Sequence, residues 1–160
     1  MSEERKVMVS VKHMGKNYGE TEVLKEINID IYDGQVVSIL GPSGSGKSTF
    51  LRCLNNLEEI SKGEITIDGQ TLYGINDNPK NKKLNEKTAL EIRKNVGMVF
   101  QQFNLWPHKT VLENVMECPV HVKKVDKDEA KKTAMELLKR VGMDSKANAY
   151  PPQLSGGQQQ

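Results

Sequence analysis

The sequence predicts an α/β domain. Three observations carry that prediction. Alternating apolar strands come first. A continuous apolar run then leads into a glycine-rich loop and a helix. From about Gln102 onward the pattern turns helical.

Taken in order, Val7, Val9 and Val11 alternate with Met8, Ser10 and Lys12, the period of a half-buried strand. Ile27, Ile29 and Ile31 repeat the alternation, and Asp33-Gly34 supplies a turn. "QVVSIL", Gln35 to Leu40, is apolar almost throughout, as expected of a strand covered on both faces. Phe50, Leu51, Leu54 and Leu57 give helical spacing from Lys47 to about Leu57. Ile65 and Ile67 alternate before a turn at Asp68-Gly69. The polar stretch Asn76 to Lys94 reads as a loop with a helix near its end, and "VGMVF", Val96 to Phe100, as a second buried strand. Thr110 with Glu113 and Asp126 with Glu129 are capping-box pairs opening two helices. Gly142 stands where the second of these should end. The division into 1–101 and 102–160 follows from this change of character.

Bulk properties exclude several classes. The chain has 160 residues, with 23 Lys and Arg against 21 Asp and Glu, a net charge of +2. Such a balance argues against nucleic acid as a partner. Cys53 and Cys118 lie far apart without metal or disulfide spacing and read as buried free thiols. His13, His108 and His121 are scattered, with no evident metal set. No apolar stretch approaches the ~20 residues of a membrane helix, so a membrane role requires a separate partner.

The loop after "QVVSIL" is the first chemical signal. Gly41, Gly46, Lys47 and Ser48 fit G-x-x-x-x-G-K-[ST], a match that arises by chance in about 1% of chains of this composition. Glycines let successive backbone N–H groups converge on one anion, and the helix beginning near Lys47 adds its positive end. Lys47 offers a point charge to β- and γ-phosphates, and the Ser48 hydroxyl can ligate magnesium. "LSGGQ", Leu154 to Gln158, reads as a second anion site of the same kind, with a hydroxyl, two bare glycines and a helix start, or else as a turn capping the next helix. Two phosphate-grasping loops for one nucleotide suggest that the second serves another subunit.

Together these stretches resemble the ATP-binding subunits of ABC transporters. "GPSGSGKST" is similar to their Walker A loop, "LSGGQQQ" to their signature, and "VFQQFNLWPHKTVLENV" to the segment around their Q-loop. "LRCLNNLEEI", "NLWPH" and "YPPQLSGGQQQ" look most like importers of polar amino acids. The resemblance implies a P-loop NTPase of the ABC ATPase type, with an N-terminal antiparallel β subdomain, a helical subdomain and an incomplete core sheet. It also implies ATP and Mg2+ as cofactors. Gly41, Pro42, Ser43, Gly44, Ser45, Gly46, Lys47, Ser48 and Thr49 would cradle the phosphates. Tyr18 corresponds to the aromatic that stacks on adenine, or else is a half-buried residue at a strand end. Gln101 corresponds to the glutamine that touches magnesium and attacking water, with Gln102 one residue away. Leu154, Ser155, Gly156, Gly157 and Gln158 would act on the nucleotide of a second copy. Implied partners are transmembrane permease subunits, a second ATPase subunit in a homodimer and, indirectly, a solute-binding protein. The implied location is peripheral, on the cytoplasmic face of the cell membrane. "NLWPH" should lie near the permease, although Trp106 reads equally as core.

The family pattern continues past its signature to an apolar strand ending in Asp-Glu (Walker B) and to a switch histidine. Neither occurs in these residues, since Asp128-Glu129 reads as a polar helix start. The expectation is therefore an N-terminal part of a longer protein, inactive by itself. Two other readings stay open: a non-catalytic nucleotide-binding module, and a repair or chromosome-maintenance ATPase with the same motifs. The second needs long coiled coils between Gln101 and Leu154, where there is no room and no sustained heptad.

Overall fold

The computed structural model describes residues 5–160 and divides into two compact units, one up to Met98 and one over Val99–Gln160.

The first unit is built on an antiparallel four-stranded sheet. β1 (Val7–Tyr18) and β2 (Thr21–Tyr32) form a hairpin, and β3 (Lys62–Ile67) and β4 (Gln70–Tyr73) form another, in the order β2-β1-β3-β4. The second hairpin turns at Asp68-Gly69, φ 44° and 80°, the double positive φ that an Asp-Gly pair tolerates. Alternation aims Val11, Met14, Ile65 and Leu72 at one face. There they bury with Phe50 and Cys53 of α1 (Lys47–Leu54) and Ile92 of α2 (Asn81–Asn95). β1 bulges between Val11 and Met14, where His13 has φ 49°. Gly63 lies against that bulge: with φ 78°, a Cβ there would meet the His13 carbonyl oxygen at 2.3 Å. Only glycine fits. The free edge of β4 is closed by the buried Asn85, which accepts from the Tyr73 N–H at 2.9 Å and donates to its carbonyl at 2.7 Å.

Helix α1 stops earlier than the spacing of Leu57 predicts. Asn56 takes a left-handed φ of 47°, and the Asn56 and Leu57 N–H groups close back onto the Cys53 and Arg52 carbonyls at 3.0 and 2.9 Å. This is a Schellman stop with asparagine in glycine's usual place. Arg93 of α2 then donates to the Asn55 and Asn56 carbonyls at 3.0 and 2.7 Å. α2 itself is longer than predicted.

Two predicted strands do not form. Gln35–Leu40 and Val96–Phe100 are irregular, and Val36, Leu40 and Val99 stand 92%, 92% and 87% exposed. A strand apolar on both faces takes its hydrogen bonds and its burial from strands on either side. Among the described residues, no segment pairs with either stretch.

The second unit holds α3 (Val111–His121), α4 (Lys127–Arg140) and, after two short 3-10 turns, α5 (Gly156–Gln159). Met116 packs with Ala130 and Ala134, and Val111 with Leu138, Ala147 and Leu154. The Thr110–Glu113 capping box is complete: the Glu113 N–H donates to Thr110 Oγ1 at 3.3 Å, and Glu113 Oε2 accepts from the Thr110 N–H at 2.7 Å. That bond holds the Glu113 carboxyl below the usual range. At α4 only half of the expected box is made. Asp126 accepts from the Asp128 and Glu129 N–H groups, with no return bond from the Glu129 side chain. Gly142, φ 70°, ends α4 in a Schellman pattern, with the Met143 N–H on the Leu138 carbonyl at 2.8 Å.

Candidate functional site

Position in the chain decides what the glycine loop can do. Gly46 is the N-cap of α1 and has φ 86°, which favours glycine. A Cβ there would also lie 2.7 Å from Leu24 Cδ2 and 3.3 Å from the Val23 carbonyl oxygen, so the loop sits tight on β2. The Gly46 carbonyl accepts the first bond of α1, from the Phe50 N–H at 2.8 Å. The N–H groups of Lys47, Ser48 and Thr49 have no intrahelical acceptor by their place in the first turn.

What is missing around them is informative. No side chain caps α1 and no first-turn residue is acidic, which is also true of α2, whereas α3, α4 and α5 each receive a side-chain oxygen at that place. α1 differs from α2 in its left-handed glycine N-cap and in Lys47 lying across the loop. The Lys47 ammonium lies across the loop, donating to the Gly41 and Pro42 carbonyls at 2.8 and 2.6 Å and to Ser45 Oγ at 3.2 Å. The Ser45 N–H donates to the Pro42 carbonyl at 3.3 Å, which closes a turn over Pro42, Ser43, Gly44 and Ser45. These are neutral acceptors, and a phosphate oxygen makes a stronger, charge-assisted bond to the same ammonium. The groove beside the loop, about 450 Å³, is walled by the apolar Leu24, Ile27, Ile29 and Phe50 and is also lined by Asn28, Ser45 and Lys47.

Tyr18, at the end of β1, is brought to the same helix. Tyr18 is 46% exposed, and its phenol is pushed up first by burial and then by the Glu58 carboxylate, with Thr49 of α1 opposing. Lys16 Nζ lies 4.6 Å from the ring centroid. Sequence reasoning missed Lys16. A lone lysine on a strand gives no warning that its ammonium will be buried.

The remaining candidates belong to the second unit. Leu154 is buried and anchors the stretch, while Ser155, Gly156, Gly157 and Gln158 lead into α5. Ser155 Oγ accepts from the Gln158 N–H at 3.3 Å, and Gln158 Oε1 accepts from the Ser155 N–H at 3.0 Å. The serine oxygen thus caps its own helix. No atom lies within 4 Å of where a Gly157 Cβ would be. Gln101 is exposed and follows an irregular stretch, not the end of a buried strand as predicted.

Trp106 is 46% exposed rather than core, with Lys109 Nζ 5.3 Å from its ring. The loop carrying it is held by Asn114, another residue missed from sequence. Asn114 accepts from the Trp106 N–H at 2.8 Å and donates to the Trp106, Lys109 and Thr110 carbonyls at 2.9–3.1 Å. Glu117 pairs with Lys109, which lowers its carboxyl below the usual range. Cys53 is buried, its thiol pushed up to about 12 by desolvation, but Cys118 is exposed, contrary to the expectation of two buried thiols. His13, His108 and His121 are all exposed, and no three His, Cys, Asp or Glu residues come together as a metal cluster among the described residues.

Comparison with known proteins adds to this geometry. Over 154 residues the chain is 49% identical to the arginine transport ATP-binding protein ArgV of Corynebacterium glutamicum and 51% identical to the glutamine transport ATP-binding protein GlnQ of Bacillus subtilis. Each match covers 96% of this chain but only 61% and 59% of those relatives, so the chain spans about three fifths of their length. A solved dimeric ATP-binding cassette, in a post-hydrolysis state with ADP and phosphate, matches 95% of the chain and 65% of its own at 38% identity and a TM-score of 0.78. The family profile described as ABC transporter matches residues 24–160. With the profile covering well over half of the sequence, and the glycine loop folded onto an uncapped helix start, the chain belongs to the ABC transporter family.

Proposed function

We propose that this chain is the nucleotide-binding part of an ABC importer subunit that energises uptake of a polar amino acid. The observation that carries the reading is the start of α1: glycine-capped, free of acidic residues, uncapped by any side chain, with Lys47 laid across it. Such a helix end is an anion receptor. In this reading the N–H groups from Gly44 to Thr49 and the Lys47 ammonium hold the β- and γ-phosphates of ATP, and Tyr18 offers its ring to adenine.

Magnesium fits the donors present. The Ser48 hydroxyl is exposed at the second helical position and is a neutral oxygen. Magnesium commonly takes only one or two protein oxygens and keeps waters and phosphate oxygens as its other ligands. The ion would neutralise charge that develops during phosphoryl transfer.

Residues Leu154 to Gln158 would meet the nucleotide of a second copy in a two-fold pair, a role that the exposure of Ser155, Gly156 and Gly157 supports. The dimeric cassette and the relatives named for arginine and glutamine transport support this reading, including the polar amino acid as cargo. Permease subunits in the membrane and, through them, a solute-binding protein would be the partners, with this subunit peripheral on the cytoplasmic face. Among the described residues, no helix is long and apolar enough to cross a membrane.

Lys47→Ala tests the phosphate site. Removing the loop's one cation should weaken ATP binding by more than tenfold, ~1.4 kcal/mol or more, in a titration of a fluorescent ATP analogue. Unchanged affinity would remove phosphate from this loop.

A further inference from the structure

Lys16 is buried to 7% exposure, unusual for a lysine. A cation so placed needs partners, and its partners all belong to the neighbourhood of one aromatic ring. The ammonium donates to the Glu59 carbonyl at 2.7 Å, pairs with Glu58 Oε2 at 3.3 Å and lies 4.6 Å from the Tyr18 ring centroid. Glu58 and Glu59 sit in the segment that follows α1, the helix that begins at the glycine loop. That segment is also stitched to β1 by the Ser61 N–H on the Gly15 carbonyl and the Asn17 N–H on Ser61 Oγ, both at 2.8 Å.

We propose that Lys16 is a positioning residue of the nucleotide site: it pins the Tyr18 ring relative to α1 so that a purine base stacks on the ring while its phosphates reach the glycine loop. The proposal rests on the reading of Tyr18 as the base-stacking residue. An ammonium needs three acceptors. A carbonyl, a carboxylate and a ring face supply them, leaving Lys16 little freedom. The strand that carries Tyr18 is thereby tied to the trailing end of the phosphate-binding helix by one buried group. The cation occupies one region of the ring, and the 46% of Tyr18 that remains exposed is what a base can cover. Preorganising the ring lowers the ordering cost of base binding, which is where the gain in affinity arises.

The test separates base from phosphate. Magnesium ATP and inorganic tripolyphosphate are titrated into the full-length protein as wild type, Tyr18→Ala, Lys16→Met, Lys16→Arg and the Tyr18→Ala/Lys16→Met pair. Tyr18→Ala and Lys16→Met should each lower ATP affinity by roughly fivefold or more and leave tripolyphosphate affinity unchanged. The double variant should be no weaker than Tyr18→Ala alone, because Lys16 acts through that ring. Lys16→Arg, which keeps the cation, should retain most of the ATP affinity. If Tyr18→Ala weakens ATP while Lys16→Met does not, positioning by Lys16 is overturned and base stacking stands. If Tyr18→Ala has no effect, the stacking reading falls and this proposal falls with it. If Lys16→Met weakens tripolyphosphate as much as ATP, the lysine merely supports the fold and the proposal is likewise overturned. Should Lys16→Met fail to fold, Lys16→Gln, polar but uncharged, carries the same comparison.

Discussion

Glu113 shows how a single residue ties sequence to pH response. Its carboxylate accepts from the Thr110 N–H and hydroxyl, and these bonds favour the charged form, so its folded pKa lies below the unfolded value. A depressed carboxylate stabilises the fold above its unfolded pKa, near ~4.3, and loses that contribution as pH falls through the folded value. Glu113→Gln keeps a capping-capable amide but does not titrate. The melting temperature of the wild type should therefore exceed that of Glu113→Gln at neutral pH, and the gap should shrink as pH drops from about 5 to below 4. A pH-independent gap would mean that the carboxylate charge is not what caps α3. At this scale the sequence was legible where one residue acts on near neighbours, as in both halves of this box. Lys16, Asn85 and Asn114 were not legible, because each gains its role from partners brought close by folding.

Among the elements, the β3–β4 turn, the start of α3 and the end of α4 followed from local chemistry. Asp68-Gly69, Gly142 and the Thr110 cap each sit where backbone preference alone puts them. The full length of α2 escaped because its buried stripe, Asn85, Ala89 and Ile92, is spaced as a helix but begins with a polar residue, while Leu84 and Leu90 stay exposed. Conversely, Gln35–Leu40 and Val96–Phe100 have strong strand composition yet remain unpaired, because a ladder needs a partner as well as a propensity. The β1 bulge makes a further prediction. Gly63→Ala would force a side chain into the His13 and Lys12 carbonyls at a positive φ, and should destabilise the sheet by about 2 kcal/mol or more in urea unfolding. A loss under about 0.5 kcal/mol would show that the bulge relaxes freely.

For the whole molecule, the central proposal is that two anion-binding loops on one chain serve two nucleotides in a two-fold pair. Ser155 is exposed, so a bulky side chain there extends into solvent in the monomer. Ser155→Arg should leave ATP binding intact and abolish ATP-driven dimerisation, followed by light scattering with and without nucleotide. Loss of both together would place the signature at its own subunit's nucleotide instead.

The phosphate site itself is tested most directly by the backbone amides. Magnesium ATP added to isotopically labelled protein should shift the amide resonances of Gly44, Gly46, Lys47 and Ser48 more than any others in the first unit, because N–H groups at an uncapped helix start change most when an anion docks on them. If those four resonances stay in place while ATP binds, the triphosphate is held elsewhere and the account of the glycine loop is wrong.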